Sequence, residues 1–214
     1  NGASTTPPRA DCCVAAPAVL EFDTEGNLLR AWGGPGYTPD WPGMNRYKGK
    51  IVHPQTWPVD LDYKGEHVLV IGSGATAATL VPAIAEDCAH VTMLQRSPTY
   101  FAPAPNRNDV ADMLRALDVP NEWTHEIVRR KILADQKEIT RRSFEEPEAV
   151  KAELLAAARQ YLGDDFDIET HFTPKYRPWR QRLAFIPDGD LFQGIKAGKA
   201  SVVTDEIETF TEKG

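Results

Sequence analysis

Metal-ligand and disulfide patterns are missing from this chain of 214 residues. Its three cysteines, Cys12, Cys13 and Cys88, form no CxxC pair, and no HExxH motif is present, so we expect no metal site. An odd number of cysteines, two of them adjacent, is a poor framework for disulfides, which indicates a reducing, cytoplasmic location. A Walker A loop and a GxSxG elbow are absent as well, which argues against the enzyme classes that those motifs define.

The chain also lacks long apolar runs and an excess of positive charge. No apolar stretch is long enough to cross a bilayer, and residues 1–18 lack the basic region and apolar run of a secretory signal. The net charge of −7 disfavours nucleic acid and anionic membranes as partners, so any anion site must be a local basic patch. Residues 1–18 are rich in Pro, Ala, Ser and Thr and do not begin with Met. We expect them to be a disordered tail whose true N-terminus is missing or processed.

A short hairpin pattern follows this tail. Two strand-like runs, 19–23 and 28–32, flank the turn signal Thr-Glu-Gly-Asn, which predicts a β-hairpin. The segment 19–36 also weakly resembles one NHL propeller repeat, in which a strand pair ends in Trp-Gly-Gly. One repeat cannot bury its own apolar face, so a lone hairpin of uncertain origin is the favoured interpretation.

The middle of the chain carries a β-α-β pattern. The apolar run 68–71 predicts a buried strand, and a glycine-containing loop follows at once. Residues 75–88 then have helical spacing, with Leu80 and Ile84 on one face, and residues 90–94 predict the next buried strand. A strand, a tight turn, a helix and a second strand in this order are the core of a dinucleotide-binding fold.

The loop between the first strand and the helix has the pattern GxGxxA. Gly72 permits the tight turn, Gly74 lets the backbone approach a pyrophosphate without a Cβ in the way, and Ala77 lets the helix pack closely on the sheet. N–H groups at the helix start point at the phosphates, and the helix dipole adds to the attraction. Cofactor binding is therefore predicted for six consecutive residues: Gly72, Ser73, Gly74, Ala75, Thr76 and Ala77.

The end of the second strand indicates which dinucleotide binds. An NAD site usually has Asp or Glu here to hold the ribose 2′-OH, but the sequence is Leu-Gln-Arg-Ser, with no acid. Arg96 stays charged at any working pH and can fork onto phosphate oxygens, and Ser97 lies beside it. These two residues predict a 2′-phosphate contact and hence NADPH. The alternative is an exposed arginine with no ligand.

The later part of the chain predicts several helices. They lie at 109–117, 121–142 and 147–162, within an insertion at about 105–170, and a shorter one lies at 190–197. Residues 201–204 and 206–211 predict two strands, with the chain stopping inside a hairpin. The predicted fold class is α/β: a Rossmann-like NADPH-binding domain at 64–214 with a parallel sheet and a helical insertion.

The predicted helix at 121–142 carries many charges of both signs. Arg129, Arg130 and Lys131 could suggest an anionic surface partner, but Glu126 and Asp135 interleave with them. A solvated helix with i,i+4 ion pairs is therefore the favoured interpretation.

Upstream of the glycine loop, residues 47–58 read Tyr-Lys-Gly-Lys-Ile-Val-His-Pro-Gln-Thr-Trp-Pro. This stretch resembles the Baeyer–Villiger monooxygenase fingerprint, FxGxxxHxxxW followed by Pro or Asp, with Tyr47 in place of Phe. Gly49, His53 and Trp57 match the other positions, within a linker at 37–63. The resemblance to this family, the class B or flavin-containing monooxygenases, runs from residue 37 to the end of the chain. It implies that His53 and Trp57 couple cofactor binding to domain movement.

Two more segments are similar to the family. Residues 94–100 resemble its loop after the second strand, where Arg and Ser or Thr hold the 2′-phosphate. Residues 171–183 resemble the loop whose basic pair contacts the 2′-phosphate and lies over the flavin. The resemblance implies that Arg182 is the catalytic arginine and that Gln181 or Arg180 is its cofactor-binding neighbour, although Gln181 is uncharged.

Charge alone supports a weaker statement about the loop 171–183. Arg177, Arg180 and Arg182 form a local cationic patch among aromatic side chains in an acidic protein. The alternative is a solvated basic loop with Trp179 packed on the core.

The resemblance implies a function for the whole family. NADPH reduces FAD, and one oxygen atom from O₂ then enters a ketone or attacks a soft N or S centre of a small organic substrate. This sequence has one glycine loop of the required kind, so we expect the FAD domain to be missing in cis and the chain alone to be inactive. Two alternatives stay open: a stand-alone NADP(H)-binding or sensor module without oxygenase activity, and an interaction domain that uses the hairpin.

Overall fold

The computed structural model describes the strands at 19–22 and 28–32 and residues 41–181 and 183–214. The described residues form two compact units: one is Tyr63–Glu206, and the other includes residues 41–62 and Ile207–Gly214. The tail predicted for residues 1–18 lies outside the described residues, and so does Arg182.

Two strands that precede residue 41 form a β-hairpin. Strand β1 (Val19–Phe22) pairs antiparallel with β2 (Leu28–Trp32), with Val19 opposite Trp32. The register shifts between Glu21 and Phe22, which marks a bulge or another irregularity of the pair. The hairpin predicted from the two strand-like runs is therefore confirmed.

In the unit Tyr63–Glu206, strands alternate with helices. In chain order they are β3 (His67–Ile71), α1 (Ala75–Ala85), β4 (His90–Gln95), β5 (Phe101–Ala104), α2 (Asp109–Ala116), α3 (Asn121–Glu145), α4 (Pro147–Leu162), α5 (Ile168–Phe172), β6 (Ala184–Pro187), α6 (Asp190–Lys196) and β7 (Ala200–Thr204). Strands β3, β4 and β7 form a parallel sheet in that order, and β5 and β6 form a second parallel pair. The predicted α/β fold with parallel strands and a helical insertion is confirmed.

The three-stranded sheet buries one of its faces. Val70, Met93 and Val202 lie side by side in the register and share one core with the buried face of α1. On the opposite face Leu69 and Ile71 are exposed. The prediction of a wholly buried strand at 68–71 is therefore wrong for alternate residues, because the described helices cover only one side of the pleat.

Aromatic rings join the two parallel sheets to the helices. The Phe172 ring on α5 lies 5.2 Å from Phe192 on α6 and 5.6 Å from Phe101 on β5, all three edge to face. These rings are almost fully buried, as is Ile186 on β6. The core is therefore continuous from the glycine-loop helix to the strands that flank the insertion.

Helix α3 confirms the prediction of a solvated helix with i,i+4 ion pairs. Arg130 donates to Glu126 at 2.7 Å, and Lys131 donates to Asp135 at 2.6 Å, both with i,i+4 spacing. Across its 25 residues the helix buries only Thr124 and Ser143. The helix ends three residues beyond the predicted position, at Glu145.

The C-terminal segment contradicts the predicted hairpin. Residues 201–204 lie in β7, but residues 206–211 form no strand. Instead, the Phe210 N–H donates to the Pro42 carbonyl at 2.7 Å, and the Phe210 ring stacks on Trp41 at 6.1 Å. The segment Ile207–Gly214 is thus held by single hydrogen bonds and ring contacts to residues 41–48, which alternating polarity does not reveal.

Candidate functional site

The glycine loop makes the turn that the sequence predicts. Gly72 follows β3 directly and has a φ of +114°, a conformation that an L side chain rarely adopts. Its N–H donates to the Leu94 carbonyl at 2.7 Å, which ties the loop to the end of β4. A Cβ placed on Gly72 or on Gly74 would meet no atom within 4 Å, so open space faces the backbone here.

Helix α1 begins at this loop without a side-chain cap. Gly74 is the N-cap residue, and the first helical bond runs from the Ala78 N–H to the Gly74 carbonyl at 2.9 Å. The preceding N–H groups, those of residues 75–77, have no acceptor inside the helix. Ala75 and Thr76 are exposed, whereas Ala77 is buried against the sheet. Within the described part of the chain, the helix start therefore offers unpaired N–H donors and positive dipole potential to an anion.

The residues predicted to contact the 2′-phosphate follow β4. Ile71 pairs with Leu94, so the ends of β3 and β4 lie side by side and bring Arg96 and Ser97 to the same edge as the glycine loop. Both side chains are exposed. Arg96 forms no ion pair or side-chain hydrogen bond with another residue that the structure describes, so its guanidinium is available to a ligand.

A hydroxyl pair joins the glycine loop to the loop after β4. The Ser73 and Thr99 hydroxyls share a hydrogen bond of 2.9 Å and are partly buried. Sequence reasoning assigned Ser73 to the site but missed Thr99, because nothing in the local pattern around Thr99 indicates a partner 26 residues away.

A buried glutamine was also missed. Gln95 is 1% exposed, and its Nε2 donates to the His171 carbonyl at 2.6 Å and to the Thr204 hydroxyl at 2.9 Å. The Thr204 hydroxyl in turn shares a hydrogen bond of 2.9 Å with His171 Nδ1. Among the described residues, Gln95 Oε1 has no hydrogen-bond donor. This network anchors the residue that directly precedes Arg96.

Two tyrosines connect the loop after β4 to the segment that follows α5. The Tyr100 hydroxyl donates to the Tyr176 carbonyl at 2.8 Å, the Tyr176 hydroxyl donates to the Pro98 carbonyl at 3.3 Å, and the rings meet edge to face. Burial raises the pKa of Tyr100 to about 12. Burial also raises the pKa of Tyr176, and a hydrogen bond with Thr99 opposes that rise. Both phenols therefore remain protonated donors at neutral pH.

The basic loop places one of its arginines, Arg177, against α3. The Arg177 guanidinium lies 3.8 Å above the centre of the Phe144 ring and donates to the Pro178 carbonyl, so it is engaged with α3. Arg180 and Gln181 are exposed. Trp179 adopts a φ of +60°, and its indole nitrogen is buried without an acceptor among the described residues. The assignment of Arg182 as the catalytic residue falls outside the described residues.

The fingerprint residues lie in the other unit. The Tyr47 ring meets Phe210 edge to face at 6.0 Å and covers the α-carbon of Gly49, where a Cβ would collide with the phenol. His53 Nδ1 accepts from the Gln55 N–H at 3.3 Å, which caps a short 3₁₀ helix, and Trp57 is 36% exposed. Position 49 therefore needs glycine in this unit, because the Tyr47 ring leaves no room for a Cβ there.

Other features of the described residues lie apart from the glycine loop. A groove of about 830 Å³ is lined only by α2 and α3 residues and contains none of the predicted site residues. No group of three His, Cys, Asp or Glu side chains in the described part could hold a metal ion. Within the same residues, no helix combines the length and the apolar character that crossing a membrane requires.

A parallel sheet, a glycine loop that opens an uncapped helix, and an exposed arginine after the next strand define a Rossmann-like dinucleotide-binding fold. Solved structures with this fold include a steroid monooxygenase bound to NADP, which has a TM-score of 0.60 and 21% identity over 84% of this chain and 41% of that one. A cyclohexanone monooxygenase from Rhodococcus bound to NADP+ gives a TM-score of 0.58 and 18% identity, over 89% of this chain and 44% of that one.

Curated relatives show which proteins with this kind of fold the chain is similar to in sequence. MymA of Mycobacterium tuberculosis, named as an FAD-containing monooxygenase, is 49% identical over 84% of this chain and 37% of its own length. The FAD-containing monooxygenase EthA of Mycolicibacterium smegmatis is 45% identical over 84% of this chain and 36% of its own. No protein-family model matches the chain. The chain is therefore homologous to FAD-containing monooxygenases, as its motifs indicate, and spans little more than a third of the length of these relatives.

Proposed function

We propose that the unit Tyr63–Glu206 binds NADPH and is the NADPH-binding part of an FAD- and NADPH-dependent monooxygenase. The reaction of the whole protein would insert one oxygen atom from O₂ into a ketone or place it on a soft N or S centre. The observation that carries the proposal is that Arg96, which has no side-chain partner among the described residues, lies at the same edge of the sheet as the uncapped helix start. The names of the relatives support FAD and the monooxygenase class, and the resemblance of residues 47–58 to the Baeyer–Villiger fingerprint supports the ketone or the N or S centre as the group that is oxidised.

The residues at this edge fit NADPH in three respects. The open space in front of Gly72 and Gly74 lets a pyrophosphate approach the backbone. The N–H groups at the start of α1 donate to its oxygens. Arg96 and Ser97 can hold the 2′-phosphate through charge-assisted hydrogen bonds, while no carboxylate follows β4 to hold a free 2′-OH.

The chemistry of the reaction belongs to the bound cofactors, which supply hydride transfer and oxygen activation. This chain's own task would be to bind and orient NADPH. We assign FAD to the part of the relatives that this chain does not match, and Arg182 and Gln181 to the cofactor-facing loop. His53 and Trp57 would couple cofactor binding to domain movement. The substrate would be a small organic molecule.

The first test compares NADPH and NADH binding to the chain by calorimetry, before and after Arg96→Ala. Loss of a charge-assisted contact to the 2′-phosphate should weaken NADPH binding by about tenfold or more and leave NADH binding unchanged. Arg159→Ala, which removes an exposed arginine from α4, is the matched control and should change neither affinity. If the unchanged chain binds both nucleotides equally, or neither, the proposed function is wrong.

A second measurement separates the enzyme fragment from a complete oxygenase. With FAD, NADPH and a ketone added, we expect the 214-residue chain to show no oxygen uptake above that of free flavin. NADPH-dependent uptake by the chain alone would contradict the assignment of FAD to another part of the protein.

A further inference from the structure

The loop that carries Arg96 and Ser97 is tethered at both ends. At its start, the Asp205 N–H donates to the Gln95 carbonyl at 2.9 Å, and the Gln95 side chain donates to His171 and Thr204. These bonds hold the residue before Arg96 to β7 and α5. The start of the loop therefore has one defined position relative to the core.

The far end of the loop is held by Thr99. Its hydroxyl shares the 2.9 Å hydrogen bond with the Ser73 hydroxyl of the glycine loop. Thr99 is thus the one residue of this loop whose side chain bonds directly to the glycine loop, within the described part of the chain.

We propose that Thr99 is a positioning residue that sets the preference for NADPH over NADH. By holding the loop to Ser73, its hydroxyl keeps Arg96 and Ser97 at a fixed distance from the glycine loop, where the pyrophosphate would bind. This inference rests on the proposed function, because it concerns the same nucleotide site. Thr99 itself would touch no part of the nucleotide.

The reason for this role is the unequal demand that the two nucleotides make. The 2′-phosphate of NADPH must meet the Arg96 loop while the pyrophosphate lies on the glycine loop, so its binding depends on the spacing between the two loops. NADH has no 2′-phosphate and needs only the glycine loop. A loop that moves freely would have to be ordered at the moment of binding, which weakens NADPH alone.

The test substitutes Thr99→Val, which keeps the shape of the side chain and removes its hydroxyl. We expect the ratio of NADPH to NADH affinity to fall by about three- to tenfold, the effect of one neutral hydrogen bond. Thr99→Ser restores the hydroxyl and should restore the ratio. A purely structural role would instead weaken both nucleotides equally, and that result would overturn the proposal.

A matched control is available on the strand that precedes this loop. Thr92 on β4 also shares a hydroxyl hydrogen bond with a serine, Ser201, at 3.2 Å. Thr92→Val removes the same kind of bond inside β4, three residues before its end and outside both loops, so it should leave the affinity ratio unchanged. An equal fall in the ratio for Thr92→Val would show that general loosening of the sheet is the cause, and the proposal would fail.

A double-mutant cycle with Ser73→Ala tests the hydroxyl pair itself. If the pair acts as a unit, Thr99→Val should have little further effect on the affinity ratio in the Ser73→Ala background. A full effect in that background would overturn the proposal while the proposed function stands. Equal binding of both nucleotides to the unchanged chain, or no binding, would overturn the proposed function and this inference with it.

Discussion

Alanine substitutions at Gly72 and Gly74 should separate folding from binding within one loop. Both glycines face open space, so neither new Cβ would collide with the protein. Their backbones differ, however: Gly72 has a φ of +114°, whereas Gly74 has a φ of −79° that any residue adopts. The two substitutions should therefore have different effects on stability and the same effect on NADPH.

The magnitudes follow from these backbone angles. Gly72→Ala forces an L side chain into a strained region, which should destabilise the unit by about 1–3 kcal/mol. Gly74→Ala gains about 0.4–1 kcal/mol because the unfolded chain has fewer conformations, but alanine is a poorer N-cap than glycine by a similar amount. Its stability should stay within about 1 kcal/mol of the unchanged chain, since the two effects oppose each other.

NADPH binding should nevertheless weaken in both variants. The new methyl group occupies the space in front of the loop, and losing a charge-assisted backbone contact to phosphate lowers affinity by about tenfold or more. Urea denaturation followed by circular dichroism gives the stabilities, and calorimetry gives the affinities. Gly194→Ala is the control, because Gly194 lies in helix α6 and not in the glycine loop. Its new Cβ would lie 4.0 Å from the Ala200 side chain, which is an ordinary contact.

Two results would refute this reasoning. Unchanged NADPH affinity in Gly74→Ala would mean that no pyrophosphate approaches the loop there. A loss of stability in Gly74→Ala equal to that in Gly72→Ala would mean that Gly74 is needed for folding, so its loss of binding would say nothing about the cofactor.

Two further predictions concern the core of the same unit. Phe192→Ala removes a fully buried ring that meets Phe101 and Phe172, and should reduce the free energy of unfolding by about 3–5 kcal/mol. Phe185→Ala removes a ring that is 54% exposed on β6 and should cost less than about 1 kcal/mol in the same urea titration, so equal losses would contradict the packing described. Burial raises the pKa of Tyr100 from 10.0 to about 12, so its contribution to stability is complete below pH 10 and is lost as the pH rises through 12. Between these pH values the unchanged chain should lose stability more steeply than Tyr100→Phe, and parallel curves would show that Tyr100 titrates normally.

Local features of the fold were predictable because each depends on neighbours in the chain. The hairpin strands, α1, β4 and most of the helical insertion were predicted from periodicity and turn residues, and the structure bears them out. The prediction of a strand at 206–211 was wrong because residues 207–214 bond to residues 41–48 through single hydrogen bonds rather than a ladder. Alternating polarity in the sequence does not distinguish these two arrangements. The buried strand at 68–71 failed on one face, because a run of apolar residues does not say how many sides are covered.

The sequence by itself determined which residues lie at this edge of the sheet. A glycine loop between a strand and a helix, and an arginine where an acid would serve NAD, follow from spacing and residue type alone. Only the tertiary structure decided how these parts are held together. Ser73 meets Thr99 across 26 residues, Tyr100 meets Tyr176 across 76, and Gln95 meets Thr204 across 109. Such bonds depend on which strands become neighbours in the sheet, and that outcome reflects the packing of the whole core rather than any local pattern.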